Sequence, residues 1–124
     1  MQRIGYWLMA LIAFAAGSAF AACEEVGYIA TFEVSEGQEQ AFEAGIVKVA
    51  AKVREVEEGT LFYSPYRGDN GKYYMMERYR NLAAREAHAK DPAVLELFGP
   101  VMGTLSAEVA VESVTLLCGE EAAQ

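Results

Sequence analysis

The chain has little of what metal, thiol and nucleic-acid chemistry require: one histidine, two cysteines far apart, and 10 basic residues against 18 acidic ones. Zinc is held by three or four His, Cys or carboxylate ligands in a tight cluster, and calcium by a loop of closely spaced oxygen donors. Neither pattern is present, so no resident metal is expected. A net charge of −8 with no basic stripe is repelled by phosphate, which excludes nucleic acid and anionic lipid surfaces as partners. There is no Gly-rich phosphate loop, no G-x-S-x-G elbow and no Cys/His nucleophile pair. With only three prolines and 124 residues, the chain has no linker and no room for a second domain.

The long apolar run that is present lies at the start. After Arg3, residues 4–16 are uncharged, and Gly17, Ser18, Ala19, Phe20, Ala21 and Ala22 follow. The run is too short to span a bilayer comfortably, and Ala19-Phe20-Ala21 provides an A-x-A cleavage site. Residues 1–21 are therefore read as a secretory signal peptide, with an uncleaved anchor as the alternative, and the protein as periplasmic or secreted. Loss of Arg3 with that peptide takes the net charge to −9. The folded domain is expected over 23–118, with 119–124 a frayed polar tail. Both cysteines remain, and an oxidising compartment favours a Cys23–Cys118 disulfide, which on the loop-entropy model stabilises by about 4 kcal/mol. A rival reading takes Phe20-Ala21-Ala22-Cys23 as a lipobox, with Cys23 lipidated and the protein anchored to a membrane through it.

From residue 26 onward, Val26, Tyr28, Ala30, Phe32 and Val34 alternate with Gly27, Ile29, Thr31 and Glu33, a period of two that predicts a strand. Ser35 and Gln38 have capping-box spacing. Phe42, Ile46, Val49, Ala50, Val53 and Val56 then recur at intervals of three and four, predicting an amphipathic helix that stops before Gly59. Extended runs at 60–66 and 72–79 flank the turn-rich Arg67-Gly68-Asp69-Asn70-Gly71 and predict a hairpin; the Arg-Gly-Asp needs no meaning beyond a turn. Pro65 lacks a backbone donor, which places the second strand at a sheet edge. Asn81 caps a helix over 82–90, and Asp91-Pro92 starts another over 93–102 that Gly99-Pro100 is expected to bend or break. Alternation over 109–118 gives the last strand. The order β-α-β-β-α-β is an α+β, ferredoxin-like pattern: a four-stranded antiparallel sheet with helices on one face. Its first and last strands are neighbours, which brings Cys23 beside Cys118.

Three stretches resemble the antibiotic biosynthesis monooxygenase (ABM) family. Glu58-Gly59-Thr60-Leu61-Phe62-Tyr63 resembles the opening of that family's second strand, Tyr74-Met75-Met76-Glu77-Arg78-Tyr79 its third, and Leu82-Ala83-Ala84-Arg85-Glu86-Ala87-His88 its a-L-x-x-H helix. The resemblance implies a dimeric α+β barrel, hence a homodimer, and oxidation of a small aromatic or quinol-like molecule by O2 without a cofactor. In that chemistry a base makes the substrate an electron-rich anion that reduces O2 directly. Tyr79 stands where the family commonly has Trp, and Ala93 where many members carry a second His. The missing Trp argues against the haem-degrading activity of some relatives.

The candidate catalytic residues are His88, Glu77 and Tyr79. An imidazole titrates near neutral pH and can take a proton from a phenol or an acidic C–H. Glu77 lies in an apolar strand, where a carboxylate has to be paired or protonated, and His88, Arg78 and Arg80 are its expected partners. A purely structural His88–Glu77 hydrogen bond is the competing reading. Tyr28, Phe32, Tyr63, Tyr74, Met76 and Phe98 are the candidate substrate-binding residues, drawn from an aromatic surplus that also has to supply core and dimer interface. The alternatives to a monooxygenase are a non-catalytic ligand-binding or structural dimer, and an isomerase or lyase of a small metabolite.

Overall fold

The computed structural model describes residues 23–118; the signal-peptide and tail readings lie outside them, as does the stretch before Cys23 on which the lipobox rests. The elements follow the expected order: β1 (Val26–Phe32), α1 (Glu39–Val56), β2 (Thr60–Arg67), β3 (Tyr73–Tyr79), α2 (Leu82–Lys90), α3 (Pro92–Met102) and β4 (Ala110–Thr115). The strands form one antiparallel sheet in the order β2-β3-β1-β4, so the chain has the ferredoxin-like α+β fold. Pro65 is on an edge strand, where its missing N–H breaks no ladder on the open side. Cys23 and Cys118 are disulfide-bonded with their Cα atoms 5.8 Å apart, at the adjoining ends of β1 and β4.

Strand parity sorts the side chains. Tyr28, Ala30 and Phe32 of β1 oppose Glu77, Met75 and Tyr73 of β3 and share one face of the sheet. On that face pack Phe42, Ile46, Val49, Ala50 and Val53 of α1, with Val94 and Val101 of α3. The first five belong to the six-residue stripe read from the sequence, whose last member, Val56, is instead exposed at the helix end; full burial of each large side chain contributes about 1.5–3 kcal/mol. At the start of β2 the ladder skips from Thr60–Tyr79 to Phe62–Arg78, leaving Leu61 as a bulge. In consequence Tyr63, instead of Phe62, stands opposite Glu77 on the inner face.

Two local expectations fail. The Ser35/Gln38 capping box does not form: Gln38 caps α1 without a side-chain bond, and its amide donates to the Ser35 carbonyl (3.0 Å). Gly37, with φ +84°, makes the turn there instead. Nor is α3 broken at Pro100, since the helix runs on to Met102. The caps of the later helices form as read: Asn81 Oδ1 accepts from Ala84 N (2.9 Å) and Asp91 Oδ1 from Ala93 N (3.0 Å), with Pro92 in the first turn.

Candidate active site

Three local features bring the end of α1 against the last turn of α2. Glu57 is the residue at which α1 gives way to extended chain, its amide donating to Val53 O (3.0 Å). Two residues on, Gly59 O accepts from Arg80 N (2.8 Å), pinning this turn to the start of α2. A Cβ at Gly59 would lie 2.6 Å from Cβ of Ala84, so only glycine permits the approach. The product is a buried pair: His88 Nδ1 is 2.8 Å from Glu57 Oε1 and 3.1 Å from Oε2, with only 11% and 9% of the two side chains exposed. A carboxylate can only accept, so Nδ1 carries the hydrogen and Nε2 is left as the proton-accepting nitrogen.

An aromatic and charged layer surrounds the imidazole. The rings of Tyr63 and Tyr79 lie 5.0 and 5.3 Å from it, and Tyr28 meets Tyr79 edge-on at 6.1 Å. Tyr79, fully buried, donates its hydroxyl to Glu77 Oε2 (2.7 Å). Burial raises the Glu77 carboxyl above its usual range, opposed by the Tyr79 hydrogen bond and by the nearby His88 and Arg85 charges. Burial also pushes both phenols, Tyr63 and Tyr79, far above the usual tyrosine range, with the Glu77 charge adding to it. They therefore act as neutral hydrogen-bonding groups at physiological pH. The Arg85 guanidinium lies over the Tyr28 ring (4.9 Å to the centroid) and near that of Tyr79 (5.7 Å).

These groups border a cavity of about 300 Å³ between the inner sheet face, α2 and α3. Phe32, Tyr63, Glu77, Arg85 and His88 line one side, and Val94 and Phe98 the other. Leu95, Met102 and Val111 also line it yet are roughly half exposed, which marks the mouth. The volume is at the lower end of the range for small-molecule sites, suited to a compact, flat, largely apolar ligand. Among the described residues no group of three or more His, Cys, Asp and Glu side chains could hold a metal ion.

Of the residues singled out from the sequence, His88, Glu77, Phe32, Tyr63 and Phe98 line this cavity, and Tyr79 and Tyr28 back it. Tyr74 and Met76 do not belong to it. They have the opposite parity to Glu77 on β3 and project from the outer face, where Met76 is exposed and the Tyr74 hydroxyl accepts from Asn70 Nδ2 (2.7 Å). The expected His88–Glu77 hydrogen bond is absent too. His88 is bonded to Glu57 and Glu77 to Tyr79, while Arg78 pairs with Glu25 and Arg80 donates to Glu58 O. Glu57 and Arg85 were missed. Glu57 is one residue before the matched Glu58, and Arg85 is three before His88, the spacing that puts two side chains on one helix face.

The profile of the family described as "Antibiotic biosynthesis monooxygenase" matches residues 26–98. The fold is similar to that of a Caulobacter crescentus protein (TM-score 0.73, 23% identity, covering 77% of this chain and 92% of that one). It is also similar to Rv0793 of Mycobacterium tuberculosis (TM-score 0.69, 27% identity, 77% and 98%) and to PA3566 of Pseudomonas aeruginosa (TM-score 0.68, 25% identity, 78% and 98%). No curated protein matches the chain.

Proposed function

Because the chain belongs to the antibiotic biosynthesis monooxygenase family, we propose that it oxidises a small aromatic or quinol-type compound with O2, using no cofactor and His88 as the base. The observation that carries this reading is the Glu57-oriented imidazole on the wall of an apolar cavity. Nε2 takes a proton from a phenolic O–H or an activated C–H, and Glu57 holds the ring in the tautomer that can do so and balances the imidazolium that forms. The substrate anion supplies the electrons that reduce O2. One oxygen atom enters the substrate and the other leaves as water, so that RH2 + O2 gives R=O + H2O. The neutral hydroxyl of Tyr63 is a donor for the developing oxyanion, and the apolar walls limit competing protonation by water.

The active form in this reading is a homodimer made by packing two outer sheet faces. The half-exposed Tyr66, Met76 and Val114, which share that face, are what a second sheet would cover. Residues 1–21 are read as a signal for export. The Cys23–Cys118 bond agrees with an oxidising, extracytoplasmic compartment. The test is oxygen consumption with a panel of quinols and anthrones. Wild type is expected to consume one O2 per substrate oxidised, and His88→Ala to lose about 10²-fold or more of that rate. Absence of uptake across the panel removes the oxygenase reading and leaves a ligand-binding protein of the same fold.

A further inference from the structure

Arg85 lines this cavity, and the proposed oxidation does not use it. Its Nε is buried and has no hydrogen-bond partner among the described residues, the one side-chain nitrogen or oxygen there of which this holds. No ion pair involves it among those residues either. Of the groups facing it, Glu57 is committed to His88, and Glu77 accepts from Tyr79 while its burial favours the protonated form. A permanent cation with an orphaned donor, next to apolar walls, is unfavourable until a counter-charge sits against it. The guanidinium carbon lies over the Tyr28 ring and near that of Tyr79, contacts that use none of its N–H groups as hydrogen bonds to oxygen. The terminal N–H groups of a guanidinium form a fork that matches the two oxygens of a carboxylate.

We infer that Arg85 anchors a carboxylate carried by the substrate, so that the cavity takes small planar aromatic acids. The inference rests on the reading that this cavity is the substrate site. Arg85 and His88 are three residues apart on α2, about 5–6 Å between Cβ atoms at that spacing. An acid held by Arg85 therefore presents the neighbouring part of its ring to the imidazole. Arg85 sets which ligands bind, and His88 acts on what is bound.

The test is calorimetric titration of the disulfide-bonded protein with 2-naphthoate and with its neutral isostere 2-naphthamide, for wild type, Arg85→Met and Arg85→Lys. Wild type is expected to bind the acid about tenfold tighter than the amide, the scale of one charge-assisted contact. Arg85→Met, which keeps an apolar stem on Tyr28, is expected to bind both alike by losing affinity for the acid only. Arg85→Lys keeps the charge but not the fork and is expected to fall between. Equal or tighter binding of the amide by wild type overturns the inference, as does failure of wild type to bind the acid. So does an acid preference that survives in a folded Arg85→Met. The wild-type comparison stands even if a variant does not fold. Binding is read without turnover: an acid preference with no O2 uptake by any substrate upholds the anchor and removes the oxygenase reading, and uptake without the preference does the reverse.

Discussion

The Nδ1 atom of His88 lies 2.8 Å from the carboxylate of Glu57, a residue 31 positions away at the far end of a different helix. The pair fixes which imidazole nitrogen is basic, so in the proposed oxidation the carboxylate acts through the ring. Glu57→Gln keeps the volume but lets the amide present either an oxygen or an NH2 to Nδ1. The rate of O2 uptake is expected to fall on the order of 10²-fold with little change in KM. An undiminished kcat in Glu57→Gln would mean that the contact is only a brace between helices.

Glu77 gives a pH dependence of stability. Burial raises its carboxyl above the ordinary 4.5, so the folded state holds that proton more tightly than the unfolded chain does. The stabilisation this provides is complete below pH 4.5 and is lost as pH rises through the raised folded-state value. Glu77→Gln can still accept the Tyr79 hydroxyl and has no charge to bury. Its melting temperature relative to wild type is expected to climb as pH goes from 4 to 7, followed by circular dichroism at about 1-unit steps. A difference that stays flat or falls over that interval would show that Glu77 is charged in the fold at no cost.

Gly59 is expected to be intolerant of alanine. The added methyl would meet the Cβ of Ala84 at 2.6 Å and its Cα at 3.6 Å, atoms fixed to the α2 backbone, so the helix has to move. The cost is about 1–3 kcal/mol in denaturant unfolding. Because α2 also presents Arg85 and His88, activity should drop with stability. Ala84→Gly in the same chain removes the clash and should return the rate, although it weakens the helix by about 1 kcal/mol. Activity that stays low in the double variant would show that the glycine serves something other than this approach.

The fold was legible because each element's pattern is local. Alternation marked Val26, Tyr28, Ala30 and Phe32, the three- and four-residue stripe marked Phe42 to Val53, and Asn81 and Asp91 stand where their caps form. The site was only half legible, since it joins residues from four strands and three helices. Parity along β3 was available and separates Tyr74 and Met76 from Glu77 and Tyr79. Arg85 was equally within reach, at helical spacing from His88. Glu57 was not. In sequence it is one of two consecutive glutamates at a helix end, resembling a solvated charge, and only the close passage of α2 over Gly59 shows which of the two is covered. The bulge at Leu61 was also invisible, because an extra residue in a ladder leaves no mark until the partner strand is known.

The bond between Cys23 and Cys118 turns the described domain into a covalent ring. A protease cutting once at the exposed hairpin tip, around residues 68–71, would divide the backbone into β1-α1-β2 and β3-α2-α3-β4 yet release neither piece. The halves would stay tethered at the edge where β1 meets β4, free to pair again. Wherever such a cut occurs, a nick at that tip is one the fold can survive while the disulfide holds, and reduction of a single bond converts it into a fatal one.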